Sequence, residues 1–116
     1  MEMTGKVALV TGSAHRIGRA MAYRLADEGM HVAIHWNRSR EQALETVAAC
    51  RARGVEALTV QGDLSDPSIA PEIIAEACTL GPVQVLVNNA SRFVPNRLME
   101  IDATQLEIDH RIHVVS

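Results

Sequence analysis

Residues 6–18 read Lys6-Val7-Ala8-Leu9-Val10-Thr11-Gly12-Ser13-Ala14-His15-Arg16-Ile17-Gly18. The first half is a short apolar run that stops at a glycine. The second half opens a helical pattern, with Ile17, Ala20, Met21 and Leu25 on one stripe and a glycine stop at Gly29. A strand that turns through glycine straight into a helix is the unit that decides the fold, and the rest of the chain repeats it.

A second apolar run, His31-Val32-Ala33-Ile34-His35-Trp36, leads to Ser39 with Gln42 three residues later, the pattern of a reciprocal helix cap. Ala43, Leu44, Val47 and Ala48 form the expected buried face of that helix, and Gly54 closes it. Val55 to Gln61 reads as a third strand. Asp66-Pro67 then reads as a cap and first helical position. Pro71 would cost that helix a backbone hydrogen bond, so the alternative is a regular helix from Pro71 after a preliminary turn over 66–70. Gly81-Pro82 punctuates, and Val83-Gln84-Val85-Leu86-Val87 is a fourth strand ending at Asn88-Asn89. Strands made mainly of apolar residues, rather than alternating ones, are expected where helices cover both faces of a parallel sheet. Four such strands alternating with helices predict an α/β, doubly wound parallel sheet with right-handed crossovers.

The last segment is expected to be helical. Asp102 with Gln105 resembles a cap, and Leu106, Ile108, Ile112, Val114 and Val115 carry an apolar pattern to the final residue, Ser116. The pattern has no stop signal, so the fold is expected to be truncated, with Val83 to Val87 an exposed apolar sheet edge.

Composition removes other classes. The 116 residues, 47% hydrophobic and 22% charged with a formal net charge of -3, fit one domain over 1–116. The slightly acidic balance argues against nucleic acid or an anionic membrane surface as partner. The apolar stretches are far shorter than the ~18 residues of a membrane helix, and no signal peptide opens the chain, so a cytoplasmic protein is expected. Cys50 and Cys78 lack metal-ligand spacing and read as reduced, buried thiols. His110 and His113 are three apart on the presumed helix, but no third ligand accompanies them and no metal is expected. The chain has one Tyr, Tyr23, and one Lys, Lys6; the other ten basic residues are Arg.

At the first strand-to-helix turn, small residues let the backbone approach a pyrophosphate, and free N–H groups at the helix start attract its charge. At the end of the second strand, an NAD site would carry Asp or Glu to bind the ribose hydroxyls. This chain carries Asn37, Arg38 and Ser39 instead. Without a carboxylate to repel a 2′-phosphate, and with Arg38 to bind one, the expected cofactor is NADP(H).

These features resemble the short-chain dehydrogenase/reductase family. Its Thr-Gly-x-x-x-Gly-x-Gly motif is matched by Thr11, Gly12 and Gly18, and its Asn-Asn-Ala-Gly motif by Asn88-Asn89-Ala90 with Ser91 last. Asp63-Leu64 corresponds to the family's pair at the adenine end of the cofactor. The resemblance implies a Rossmann-like sheet, a cofactor site that takes in Gly12, Ser13, His15, Arg16, Ile17, Gly18, Asn37, Arg38, Ser39, Asp63, Leu64, Asn89 and Ala90, and hydride transfer to a small-molecule substrate. It covers about the first half of a usual member. Arg16 in place of the middle glycine, Ser91, Phe93 and the run His35-Trp36-Asn37-Arg38-Ser39 look like pteridine reductases. That likeness implies substrate contacts from Arg16, Ser91 and Phe93, with Phe93 stacked on a pterin.

The family's catalytic Tyr-x-x-x-Lys has no counterpart, because Lys6 precedes Tyr23 on unsuitable elements. No catalytic residue is therefore expected here, and the chain alone is expected to be inactive. His113 falls nearest the place of the family's helical Asn, within one or two residues. Full-length members are usually homo-oligomers. The competing expectation is a non-catalytic nucleotide-binding or interaction module left by truncation, and a further one is a chain that does not fold stably alone.

Overall fold

The computed structural model describes residues 3–12, 16–66, 68–87 and 113–115. In chain order these form β1 (Val7–Val10), α1 (Arg16–Asp27), β2 (His31–Trp36), α2 (Arg40–Arg51), β3 (Ala57–Gln61), α3 (Ala70–Ala77) with a 3-10 turn Cys78–Leu80, β4 (Val83–Val87) and β5 (His113–Val115). The strands make one sheet in the order β3-β2-β1-β4-β5, and every pairing is parallel. Val10 sits opposite both Ile34 and Val87, and Trp36 opposite Gln61, so the carboxyl ends of the first four strands lie along one edge. The chain winds from β1 outward through β2 to β3, then returns to the far side of β1 for β4. That reversal makes the β1/β4 boundary the topological switch point, where open α/β sheets form a crevice.

Alternation along the strands divides the core into two layers. Ala8, Val10, Val32, Ile34, Val85 and Val87 pack with α1 and α2 on one face. Val7, Leu9, Ala33, Val60, Val83 and Leu86 pack with α3 on the other. This is the sandwiched parallel sheet that continuous apolar strands require.

The helix phases depart from the expected stripes. In α1 the buried positions are Gly18, Ala22, Leu25 and Ala26, spaced i, i+4, i+7, i+8, while Ala20 is exposed and Ile17 is 68% exposed. Small residues on the buried face let the helix lie close to the sheet. In α2 the buried face is Ala43, Thr46, Val47 and Cys50, and Leu44 is 45% exposed with Ala48 also outside. Thr46 tolerates burial because its hydroxyl donates to the Gln42 carbonyl one turn back, at 2.8 Å. Ser39 caps α2 without a side-chain hydrogen bond, so the reciprocal cap expected with Gln42 is not formed; its carbonyl accepts from Ala43 N–H instead.

Before α3 the Asp66 carboxylate accepts from Ser68 N–H and Oγ, shaping a turn from which the helix starts at Ala70 with Pro71 in its first turn. That is the second of the two starts weighed above, and it places Pro71 where a missing N–H costs nothing.

The end of the last segment corrects the expectation, while Asp102, Gln105, Leu106, Ile108, His110 and Ile112 lie outside the described residues. His113–Val115 is a strand, not the end of a helix, and it pairs with β4 through Val85, Leu86 and Val87. The β-branched Val114-Val115 pair suits a pleated strand better than a helix. Val83 to Val87 is consequently an interior strand rather than an exposed edge.

Candidate functional site

The crevice is built at the carboxyl ends of β1 and β4. Thr11 is fully buried there, and both its backbone N–H (2.9 Å) and its hydroxyl (3.3 Å) donate to the Val87 carbonyl. One residue on, Gly12 takes φ +65°, a conformation that costs an L-residue with a Cβ and that turns the chain out of the sheet. Helix α1 then begins at Arg16 with no acidic residue in its first turn, so no carboxylate of that turn opposes an anion at its positive end. Ile17, beside this turn, presents a large apolar side chain to solvent, and Gly18 lies buried against the core side. Ser13 and His15 lie outside the described residues, as does the side chain of Arg16.

Sequence reading missed the residue that joins this turn to the rest of the site. His35, next to last in β2, is 3% exposed. Its Nδ1 accepts the Gly12 N–H at 3.1 Å, and its Nε2 lies 2.8 Å from the Gly62 carbonyl. Because a carbonyl can only accept, Nε2 carries the proton and Nδ1 the lone pair. The imidazole is held neutral: burial pushes its pKa below the ordinary histidine value, while the Gly62 carbonyl and the Asp63 carboxylate oppose that shift. The available signal was an ionisable residue inside a strand otherwise apolar, since a buried polar group demands partners. The bond to His35 also redefines Gly12, because its N–H is committed inside the protein.

The adjoining edge is formed by the ends of β2 and β3. Asn37 and Arg38 are exposed and Ser39 half-buried, with no carboxylate among the three. Gly62 N–H donates to the Trp36 carbonyl at 3.1 Å and Gln61 Nε2 to that of Asn37 at 3.3 Å, fixing this corner to β3. Asp63 is exposed and its Oδ1 accepts from Ser65 N–H and Oγ, at 2.9 and 2.7 Å. Leu64 is half-buried and packs on the α3-side core. The structure thus brings Gly12, Gly18, Asn37, Arg38, Ser39, Asp63 and Leu64 to the carboxyl edge of one sheet. Asn89, Ala90, Ser91 and Phe93 lie outside the described residues.

His113 is placed differently from the expectation. It opens β5, paired with Val85, so it does not occupy a helical position after the fourth strand. Among the described residues there is no group of metal-ligating side chains and no helix long and apolar enough to cross a membrane.

A family model described as short chain dehydrogenase matches residues 6–115. The 3-oxoacyl-acyl-carrier-protein reductase FabG of Staphylococcus aureus is 39% identical over 102 residues, which are 87% of this chain and 41% of that protein. A solved short-chain dehydrogenase from Burkholderia cenocepacia J2315, in complex with NADP, superposes with a TM-score of 0.73 at 40% identity, covering 78% of this chain and 37% of the other. The short-chain dehydrogenase/reductase homolog YusS of Bacillus subtilis is 41% identical over 98 residues, 82% of this chain and 90% of its own. The chain therefore spans about two-fifths of FabG and of the Burkholderia protein, and nearly all of YusS.

Proposed function

The chain belongs to the short-chain dehydrogenase family, and from that premise we propose that residues 1–116 are a single dinucleotide-binding domain, the NADP(H)-binding portion of a short-chain oxidoreductase. The observation that carries this reading is the Gly12 turn at the β1/β4 switch point, with an acid-free start to α1 after it and Arg38, not a carboxylate, at the end of β2. The NADP complex of the Burkholderia relative supports it.

In this reading the turn from Gly12 through Ser13, His15, Arg16, Ile17 and Gly18 receives the pyrophosphate, and Ile17 gives its exposed side chain a ligand to cover. Arg38, with Asn37 and Ser39, holds the 2′-phosphate in charge-assisted hydrogen bonds. Asp63 and Leu64 border the adenine, and Asn89 and Ala90 complete the floor toward the nicotinamide. When bound, the cofactor supplies the hydride, and a carbonyl or a pterin double bond receives it. FabG, named as a 3-oxoacyl reductase, supports the carbonyl. Arg16, Ser91 and Phe93 support the pterin, because a flat heteroaromatic ring calls for an aromatic face and a planar set of donors. No residue of these 116 is assigned as the proton donor.

The test is a titration of the chain with NADPH and with NADH, followed through the fluorescence of its single tryptophan, Trp36, two residues before Arg38. NADPH is expected to bind at least about tenfold more tightly, as one charge-assisted contact of ~1.5–3 kcal/mol implies. Arg38→Glu is expected to abolish or reverse that preference. Equal affinities in the wild-type chain would refute the NADP(H) assignment. A pterin added to the NADPH-saturated chain is expected to raise its melting temperature further; an unchanged melting temperature would favour an acyclic carbonyl substrate.

A further inference from the structure

Three adjacent strands of the sheet, β1, β2 and β3, end in segments that the proposed site uses together. The backbone at two of them is tied to one side chain. Gly12, after β1, donates to Nδ1 of His35, and Gly62, after β3, accepts from its Nε2. The two attachment points are 23 and 27 residues away in sequence. Backbone hydrogen bonding beyond β3 holds Gly62 by its N–H to the Trp36 carbonyl, while its carbonyl is held by His35, and the positive-φ turn at Gly12 has several backbone alternatives open to a glycine. A rigid ring whose two nitrogens face opposite ways can select one of these and relate it to the Gly62-Asp63 corner. Its burial excludes water that would compete for either bond.

We propose that His35 is a positioning residue for the dinucleotide, the element that sets the turn for the pyrophosphate and the corner for the adenine end in one fixed relation. The proposal rests on the NADP(H) reading and adds to it a residue that need not touch the ligand. Its two bonds are chemically separable. Asparagine at 35 places an acceptor near the position of Nδ1 and so preserves the Gly12 bond. Glutamine reaches toward the position of Nε2 and preserves the donor to Gly62. Phenylalanine retains the ring volume and loses both.

The experiment measures the affinity of the wild-type chain, His35→Asn, His35→Gln and His35→Phe for two probes, NADPH and adenosine 2′-monophosphate, with a thermal melt to establish that each variant is folded. The smaller probe occupies the adenine end alone, so it separates the two turns. His35→Asn is expected to bind NADPH at least threefold better than His35→Gln does. His35→Gln is expected to hold adenosine 2′-monophosphate within about threefold of wild type while its NADPH affinity falls tenfold or more. His35→Phe is expected to lose tenfold or more on NADPH and to weaken on both. If wild type binds both probes and every folded variant binds them within threefold of wild type, the positioning role is overturned while the cofactor reading stands. The positioning role is equally overturned if His35→Asn and His35→Gln lose both probes in the same proportion, because the bonds then have no separate targets. A wild-type chain that binds neither probe overturns the cofactor reading and this proposal with it.

Discussion

The carbonyl of Val87 accepts two hydrogen bonds from Thr11, one from its backbone N–H and one from its hydroxyl. The pair ties the end of β1 to the end of β4 across 76 residues of sequence, at the point where the chain reverses its winding direction. Thr11→Val keeps the shape and removes the hydroxyl. A loss of about 1 kcal/mol in urea unfolding is expected, the usual net contribution of one buried hydrogen bond. Unchanged stability in Thr11→Val would show that the hydroxyl contributes nothing to the clamp.

Gly62 is required for a reason of space. A Cβ there would meet Ile69 Cγ1 at 2.8 Å and Ile73 Cδ1 at 2.9 Å, both inside contact distance, so these two packed side chains would have to shift. Gly62→Ala is expected to cost roughly 1–3 kcal/mol through overpacking, measured by chemical denaturation. Gly54, where a Cβ meets nothing within 4 Å, separates this effect from conformational strain: its φ of +89° makes Gly54→Ala a test of backbone cost alone.

Stability should fall on mild acidification because of His35. Its pKa in the folded chain lies below the ordinary histidine value, chiefly through burial, with Gly62 and the Asp63 carboxylate acting the other way. Between the folded and unfolded values the unfolded chain binds more protons, so unfolding becomes easier as pH drops. The contribution is therefore complete above the ordinary value of about 6.5 and is lost as pH falls through the folded value. Denaturation midpoints of wild type and His35→Asn, compared between neutral and mildly acidic pH, check this: the wild type is expected to lose more stability than the variant. Parallel losses would contradict it.

The two thiols should differ in reactivity. Burial pushes Cys50 up to about 11, with Asp27 adding to the shift and Arg53 opposing it, and its Sγ lies 3.9 Å from the Ala22 carbonyl. Cys78, expected to be buried, is instead half-buried at the start of the 3-10 turn. Because the thiolate is the reactive form, one thiol per native chain is expected to label quickly at pH 8, and peptide mapping should find the label on Cys78. Cys50 should react once denaturant is added. Equal labelling of both in the native state would mean that the α2 packing opens readily.

The parallel sheet was legible because strands covered on both faces are mainly apolar rather than alternating, and the runs at 7–10, 31–36 and 83–87 are of that kind. Helix phase was less so. Hydrophobicity points Ile17 and Leu44 inward, but Gly18, Ala22, Leu25 and Ala26 hold the buried positions of α1 and Ala43, Thr46, Val47 and Cys50 those of α2. The run Ile112-His113-Val114-Val115 is too short for its period to distinguish helix from strand, and its pairing with β4 depends on a tertiary neighbour. His35 was hidden for a different reason: both its partners are backbone atoms of glycines, and a backbone group leaves no mark on the residue pattern.

The central claim is that the carboxyl edge of this sheet, around the Gly12 turn, receives NADP(H). Its most direct test is backbone amide NMR of the isotopically labelled chain during titration with NADPH. The account predicts saturable shifts concentrated at Gly12 and Gly18, at Asn37 to Ser39 and at Asp63 and Leu64, with the amino ends of β1 to β4 undisturbed. Saturable shifts confined to another surface, or none with the chain folded and NADPH in excess, would contradict it.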